Sequence, residues 1–416
     1  MRFLDGIAMQ RVDALLVAIV LLVTYIYNSS SFALTLNGSM LLGSVLLLLA
    51  ILCLVVLFIA NGRRTNYLIQ GSFLLWLGIV AIDSVAHGMN LNSEKIRMFL
   101  LASTAVLVAL TVPGKTFFKI LNSTVVILAA FALLHFALVN ILKIEMFNYE
   151  FVSFNSVKYR LGLFAVSSPN YMYSGLWYAS LSIFWEPGIF ASILLLAISC
   201  QTVGINEYNS KQIIVMSIAL VTTFSTAGIL LLPVALVPMI FKSNSKSNIL
   251  ICIAVIATTF ILIFCSGDVI NALVSFNPSI FGKLANLNLL TVSTRLEAPL
   301  INLRLFFESP FTGLGLVEAS DAYAREVLLR ASVDAQTSTS TFYMAAYGVL
   351  GAVLSLLPAI GVMRLKQIPF VRRLLLIVLL YTILNKETHI FDLLYLTIPL
   401  MMIKMEKTKI GGFLNE

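Results

Sequence analysis

The feature that most restricts this chain is the length of its apolar runs. A bilayer-spanning helix needs roughly 20 mostly apolar residues. About twelve segments read as such spans, at 12–31, 39–60, 67–85, 96–113, 120–142, 187–205, 213–223, 226–241, 249–265, 338–363, 373–386 and 391–404. These runs are too long for a globular core. Composition agrees, with 60% hydrophobic and 11% charged residues in 416, where soluble chains carry about 25% charged residues. The expectation is an all-α, polytopic integral membrane protein with two long external loops containing short surface helices. No internal repeat and no soluble domain is visible, so 1–416 reads as a single membrane domain.

Charge orients the spans. With the N-terminus inside and twelve crossings, the inner loops are NGRR (61–64), PGKTFFK (113–119), KSNSK (242–246) and RLKQIPFVRR (364–373), all basic. Short inner loops collect Lys and Arg. Residues 213–241 are almost one run, broken by TTFSTAG at 222–228. Eleven spans would place basic clusters on both sides, so twelve are expected, with both termini cytoplasmic. The net charge of +8 then reflects basic residues retained on the cytoplasmic side of the membrane, and no nucleic-acid partner is expected. The run after MRFLDGIAMQRVDA is long enough to span and reads as a first helix, not a removed signal peptide. Cys53, Cys200, Cys252 and Cys265 lack metal spacing and read as core or lipid-facing residues.

The two long external segments are 143–186 and 266–337, and loops are where function concentrates. In the second, Leu290 to Phe307 carries apolar residues at helical spacing, and AREVLLRA (324–331) reads as a short amphipathic helix. Both are expected on the membrane surface.

Catalytic patterns are few. There is no nucleotide-binding loop and no metal-ligand set, so no cofactor is expected. His87, His135 and His389 read as structural. Asp83 and Asp392 are costly in lipid, but both fall near the outer boundary, where hydration is cheap. Tyr171, Tyr173, Trp177 and Tyr178 suit interface anchors, or platforms for sugars. Arg160, Arg295 and Arg304 stand in the external loops, and a guanidinium fork fits phosphate. Pairing with Glu297, Glu308 or lipid headgroups would satisfy them equally well. In SIFWEPGIFA (182–191), Glu186 falls at the mouth of the sixth span. Pro187 suits a first helical turn, and a carboxylate there favours the helix dipole. Glu186 is either a cap or an acid that accepts a proton from a hydroxyl, and caps are more often Ser, Thr, Asp or Asn.

FWEPGIF resembles a motif of the Wzy-type polymerases of O-antigen and capsular polysaccharides, relatives of the O-antigen ligases. TTFSTAGILLL (222–232) is similar to that family's Ser/Thr-rich stretch. TRLEAPLINLRLFFESPFTGLGL (294–316) resembles its Arg-containing segment, which ends in Pro310, Gly313 and Gly315. TSTSTFYMAAYGVLG (337–351) resembles the polar start of the next helix. The likeness runs from about 160 to 355. Two departures stand out. WYASLSIFW lacks the Arg that often precedes Glu-Pro-Gly, which leaves Arg160 as its substitute. Thr337-Ser338 replaces Ser-Asn, and Thr337 cannot act as the base that a ligase's His would be.

The resemblance implies transfer of a glycan from undecaprenyl pyrophosphate to a sugar hydroxyl of a new lipid-linked repeat unit, outside the cytoplasm. It implies Glu186, Arg295 and Arg304 as catalytic residues, and Arg160, Pro310, Gly313, Gly315, Thr337 and Ser338 as substrate-binding residues, with no metal. The implied partners are lipid-linked oligosaccharides, the bilayer, a chain-length regulator and a flippase. A ligase and a lipid-linked sugar transporter are the alternatives.

Overall fold

The computed structural model describes residues 67–88, 93–144, 149–152, 158–162, 165–172, 175–184, 186–239, 289–329, 338–386 and 392–405, with the single residues 48, 51, 55 and 275. The spans expected at 12–31, 39–60 and 249–265 lie outside the described residues, apart from those single positions, as do His389 and Thr337.

The described chain is mostly helical. Helices run α1 Tyr67–Ala86, α2 Ser93–Thr111, α3 Gly114–Phe136, α4 Pro187–Val203, α5 Ser210–Thr222, α6 Thr226–Leu236, α7 Leu289–Glu308, α8 Leu316–Leu329, α9 Thr339–Met363, α10 Phe370–Lys386 and α11 Leu393–Met405. Three stretches among them are long and apolar enough to cross a membrane: Ile69–Ala86, Gly114–Ile141 and Thr339–Met363. The last meets this test by length and composition, but its backbone does not run straight.

α9 folds back on itself. Gly348 has φ 58° and ψ −137°, outside the helical region. The Ser355 hydroxyl donates to the Ser340 carbonyl at 2.6 Å, although fifteen residues of straight helix would separate them by about 22 Å. A short arm, 339–347, therefore lies against a longer one, 349–363. Met363 lies eight residues past Ser355, about 12 Å beyond the level where α9 begins. The stretch expected as one crossing thus has a polar Ser/Thr arm turned back into the bundle.

The break at 222–228 is also a turn. Ser225 caps α6 by accepting from the Gly228 amide at 3.3 Å, and Phe224 takes φ 51°. α5 starts beside α3, where Asn122 donates to Gln212 at 2.9 Å. α6 runs down α4, with Gly228 against Ala191 and the Thr202 hydroxyl on the Ala235 carbonyl at 2.7 Å. α5 and α6 are thus two antiparallel helices, as the charge argument required of 213–241. Each is shorter than the roughly 20 residues of a full crossing.

The first external segment differs from expectation. It carries a four-stranded antiparallel sheet, in the order β1 Tyr149–Val152, β2 Lys158–Gly162, β3 Ala165–Met172 and β4 Gly175–Ser182, where short surface helices were expected. The physical reason is a run rich in aromatic residues with Gly, Asn, Pro and Ser between them, the pattern of a pleated, half-buried surface. The sheet packs on the C-terminal end of α3. The Ser180 hydroxyl donates to the Ala132 carbonyl at 3.4 Å, and His135 Nε2 meets the Ser167 hydroxyl at 3.2 Å. β4 is an edge strand, so the outward amide and carbonyl of Tyr178 need partners. Asn140 supplies both, at 2.8 and 3.0 Å, from a π-helical turn over Ala137–Ile141.

At the other end of the bundle, basic side chains close the helices. Lys404 donates to the carbonyls of Leu110 and Val112 at 3.0 and 2.7 Å. Arg373 donates to Met363 at 2.8 Å, and Arg372 to Val203 at 3.5 Å. Cations at helix C-termini satisfy orphan carbonyls and the helix dipole together. Arg372 and Arg373 belong to RLKQIPFVRR, one of the loops that charge counting assigned to the inner side.

Candidate functional site

The expected site residues fall into two groups. The first surrounds the sheet. Glu186 is the N-cap of α4, with φ −136° and ψ 137°, and Pro187 takes the first helical position. Its carboxylate makes no capping hydrogen bond to the following amides. The side chain is half-buried, so the helix is positioned by Pro187 and the backbone, not by a Glu186 cap. Arg160 sits in β2 opposite Ser167 of β3. Its guanidinium lies over the Tyr178 ring, 4.1 Å from the centroid, which engages the fork's flat face. Trp177 is stacked on Phe136 and edge-on to Phe224. Both aromatics are therefore committed to packing.

The second group is the segment from Arg295 to Ser338. α7 carries Pro299 in its interior. Positions 295 and 304 are nine residues apart, two and a half turns, which puts these backbone positions on opposite faces of an unbroken helix. Arg304 is exposed and pairs with Glu308 at 3.8 Å and Glu326 of α8 at 3.4 Å. Of the partners anticipated from sequence, Glu308 is present, and Glu326 is an addition. On α8, Arg325 pairs with Glu318, and that hydrogen bond raises its pKa further above the usual arginine value.

The Pro-x-x-Gly-x-Gly turn has a definite structural task. Reversal at Gly348 deprives the Ala345 and Ala346 carbonyls of their helical partners. The amides of Leu314 and Gly315 donate to them instead, at 3.0 and 2.9 Å. This backbone-to-backbone docking leaves no room for side chains. A Cβ on Gly348 would lie 2.6 Å from the Phe311 carbonyl, and one on Gly313 would lie 2.3 Å from the Ala346 oxygen. Gly315 has φ 82°, and a Cβ there would come within 2.9 Å of Asp83 Oδ1. Pro310, half-buried, opens this turn just after the Ser309 that bonds back to Gly313 O at 2.8 Å.

No family model matches the chain, and no curated protein matches it.

Ser338 begins the short arm of α9, and its side chain does not cap the helix. Instead it contacts Thr341 at 2.5 Å and donates to Asn385 of α10 at 2.6 Å. Asn302 of α7 donates to Thr341 at 3.1 Å. This buried chain ties α7, α9 and α10 together. A neighbouring cavity, lined in part by Thr339, Ser340, Tyr343 and Tyr395, is about 40 Å³, close to the space one water fills. Arg304, Pro310, Gly313, Gly315 and Ser338 thus belong to one packed unit, while Glu186 and Arg160 belong to the sheet region.

Sequence reasoning weighed Asp83 alone, did not single out Lys95, and so missed their pairing. Lys95 Nζ lies 2.8 Å from Asp83 Oδ2, with side chains 12% and 5% exposed. Asp392, in turn, caps α11 by accepting from the Leu394 amide at 3.0 Å, a structural use. Among the described residues no group of His, Cys, Asp and Glu could hold a metal ion.

Proposed function

We propose that this chain polymerises lipid-linked oligosaccharide repeat units in O-antigen or capsule biosynthesis. In this reading it is a multi-pass protein of the bacterial cytoplasmic membrane with both termini inside. The growing glycan leaves undecaprenyl pyrophosphate and is transferred to a sugar hydroxyl of the next lipid-linked unit. The observation that carries this reading is joint. Four motif segments follow one another in the family's order, and two of them fold as one unit through the Gly313–Gly348 docking. A turn held this way would fix the arginine-bearing α7 at the end of the bundle.

In this mechanism the leaving group is a lipid pyrophosphate, and charge builds on it as the anomeric bond breaks. Arg304 would exchange its two surface carboxylates for that charge, with Arg295 on the same helix as the second cation. Exposed ion pairs are weak, about 0–1 kcal/mol, so the exchange costs little. Glu186, not committed to a cap, would orient or deprotonate the acceptor hydroxyl. Arg160 and the turn of Pro310, Gly313 and Gly315 would shape the substrate's path, with Ser338 and Thr337 at its edge.

A transporter of lipid-linked sugar is the second reading. The short arm of α9 favours it, since transporters use discontinuous helices inside the bundle. The 40 Å³ cavity beside that arm weighs against it, being far too small for a sugar.

The test is to replace Glu186, Arg295 and Arg304 singly by Gln and resolve surface glycan by gel. Chains one repeat long, still attached to their acceptor, are the expected result. Wild-type chain length in all three, at normal protein levels, would overturn the site assignment. Loss of even the single repeat would favour ligase or transporter.

A further inference from the structure

Contacts between the helices put the outer region on one scale of height. Its zero is the Met363 carbonyl, which Arg373 closes at the inner end. Ser355 stands eight residues above it, about 12 Å, and Gly348 fifteen residues above it, about 22 Å. Ser355 is bonded to Ser340, and Asn302 donates to Thr341 next along the chain. Asn302 therefore lies at about the 12 Å level. Six further residues of α7 add about 9 Å. They bring Glu308 to the level where the turn after it docks on Gly348, so the two routes agree. Arg304, two residues past Asn302, then stands at about 15 Å, the middle of a hydrocarbon core about 30 Å thick.

At that height two flanks of the bundle expose opposite chemistry. On α1, a Cβ at Gly78 would meet Leu350 at 3.7 Å, which ties α1 to the scale just below Gly348. Leu74, about one turn below Gly78, is 66% exposed, and Leu77 and Ile82 carry the exposed apolar face upward. On α7 and α8 the exposed groups are Arg304, Glu308, Glu318, Asp321 and Arg325, with Glu326 beside Arg304. Two cations and four carboxylates do not cancel. Charged side chains at this depth are costly against lipid, and face the bundle interior or water. The turn gives a second, independent sign. Irregular backbone at membrane depth occurs only inside protein or along a water-filled cavity, yet Phe311 in this turn is 79% exposed.

We propose that water enters the outer end of the bundle along α7 and α8 and reaches Arg304 near the midplane. The result is a wet cleft that admits hydrated polar headgroups below the lipid surface. α1 and the long arm of α9, where Val353 and Leu356 are exposed, keep lipid at the same height on the other flank. Water in the cleft accounts for ion pairs that stay exposed at this depth. This inference does not depend on the reaction proposed above, because its test reads depth and water, not glycan.

The four cysteines, Cys53, Cys200, Cys252 and Cys265, are replaced by Ala. Single cysteines are then placed by Asp321→Cys in the cleft and Leu74→Cys on the lipid flank. Both positions are exposed and neither belongs to the proposed catalytic set. Each variant is labelled with bimane in detergent, and the full chain is reconstituted in phosphatidylcholine liposomes. Iodide on both sides should quench the Asp321→Cys label about tenfold more than the Leu74→Cys label, since an ion is excluded from hydrocarbon. Lipids brominated near the chain end should quench the Leu74→Cys label more than lipids brominated near the glycerol. Neither should quench the Asp321→Cys label. Quenching of that label by brominated chains would mean that lipid covers α8, and shielding from both quenchers would mean that protein does. Either result overturns the proposal. So would strongest quenching of the Leu74→Cys label by iodide or by bromines near the glycerol, because α7 and α8 would then stand above the bilayer. Ser320→Cys, also exposed on α8, repeats the measurement if Asp321→Cys folds poorly.

Discussion

The sheet region and the turned-back region solve the same problem with different groups. Each must hold an irregular segment against apolar helices while satisfying its backbone. Around the sheet, side chains do this. Asn140 covers the edge of β4, Ser180 reaches an α3 carbonyl, and His135 meets Ser167. At α9, backbone meets backbone, and glycines make the approach possible. Side-chain bridges can be replaced one at a time. A glycine contact has no spare atom, so any addition must move two chain segments at once.

That contrast predicts the largest effect at Gly348. Gly348→Ala places a Cβ into the Phe311 carbonyl at a backbone angle that L side chains rarely adopt. Strain and overlap together should cost about 4 kcal/mol. Thermal unfolding in detergent should show a large loss of stability, and little folded protein should be recovered. A variant as stable as wild type would mean that the turn does not depend on this glycine. Lys95→Met comes next. It leaves Asp83 as an unpaired buried charge, which typically costs about 3–5 kcal/mol. The neutral double replacement Asp83→Asn with Lys95→Gln should recover most of this, and the comparison of melting temperatures checks it.

On the sheet side the expected cost is smaller. Asn140→Leu strands the outward amide and carbonyl of Tyr178, at about 1–3 kcal/mol for each buried group left unsatisfied. Hydrogen exchange localises the damage: the Tyr178 amide should lose protection while the α9 arms keep theirs. Loss of protection in both regions together would show that the two are one cooperative unit, and the comparison would fail.

These differences follow how far each feature can be read along the chain. Helices driven by apolar runs were legible, as Pro187–Val203 against an expected 187–205 and Tyr67–Ala86 against 67–85. The amphipathic pattern of 290–307 likewise became Leu289–Glu308. The strand signal in 149–182 was present in its aromatics and in the alternating Ser180 and Ser182, but hydropathy alone does not separate it from a loop. The reversal at Gly348 had no local signal. It depends on amides at 314 and 315, more than thirty residues earlier in the chain, and it leaves mean hydropathy unchanged. Of the candidate site, the glycines were legible as a motif but their docking role was not. Asp83 looked like an isolated charge and Lys95 was not singled out, because the pair forms only when α1 and α2 pack.

Arg304 should give the smallest effect on stability and so the cleanest separation of fold from function. Its side chain is 59% exposed and bridges Glu308 on its own helix to Glu326 on α8. Solvent screens such pairs, and measured values fall at about 0–1 kcal/mol. Arg304→Gln should therefore unfold at nearly the wild-type temperature. Arg304→Lys keeps the charge but loses the planar fork that grips two phosphate oxygens. If the residue serves only to link α7 to α8, both replacements should leave glycan chain length unchanged, and Lys should match wild type in stability. If it stabilises a departing pyrophosphate, both should shorten the chains, with Gln worse than Lys. Full-length glycan in Arg304→Gln would assign this arginine to the surface of the turned-back region, as Arg160 belongs to the packing of the sheet.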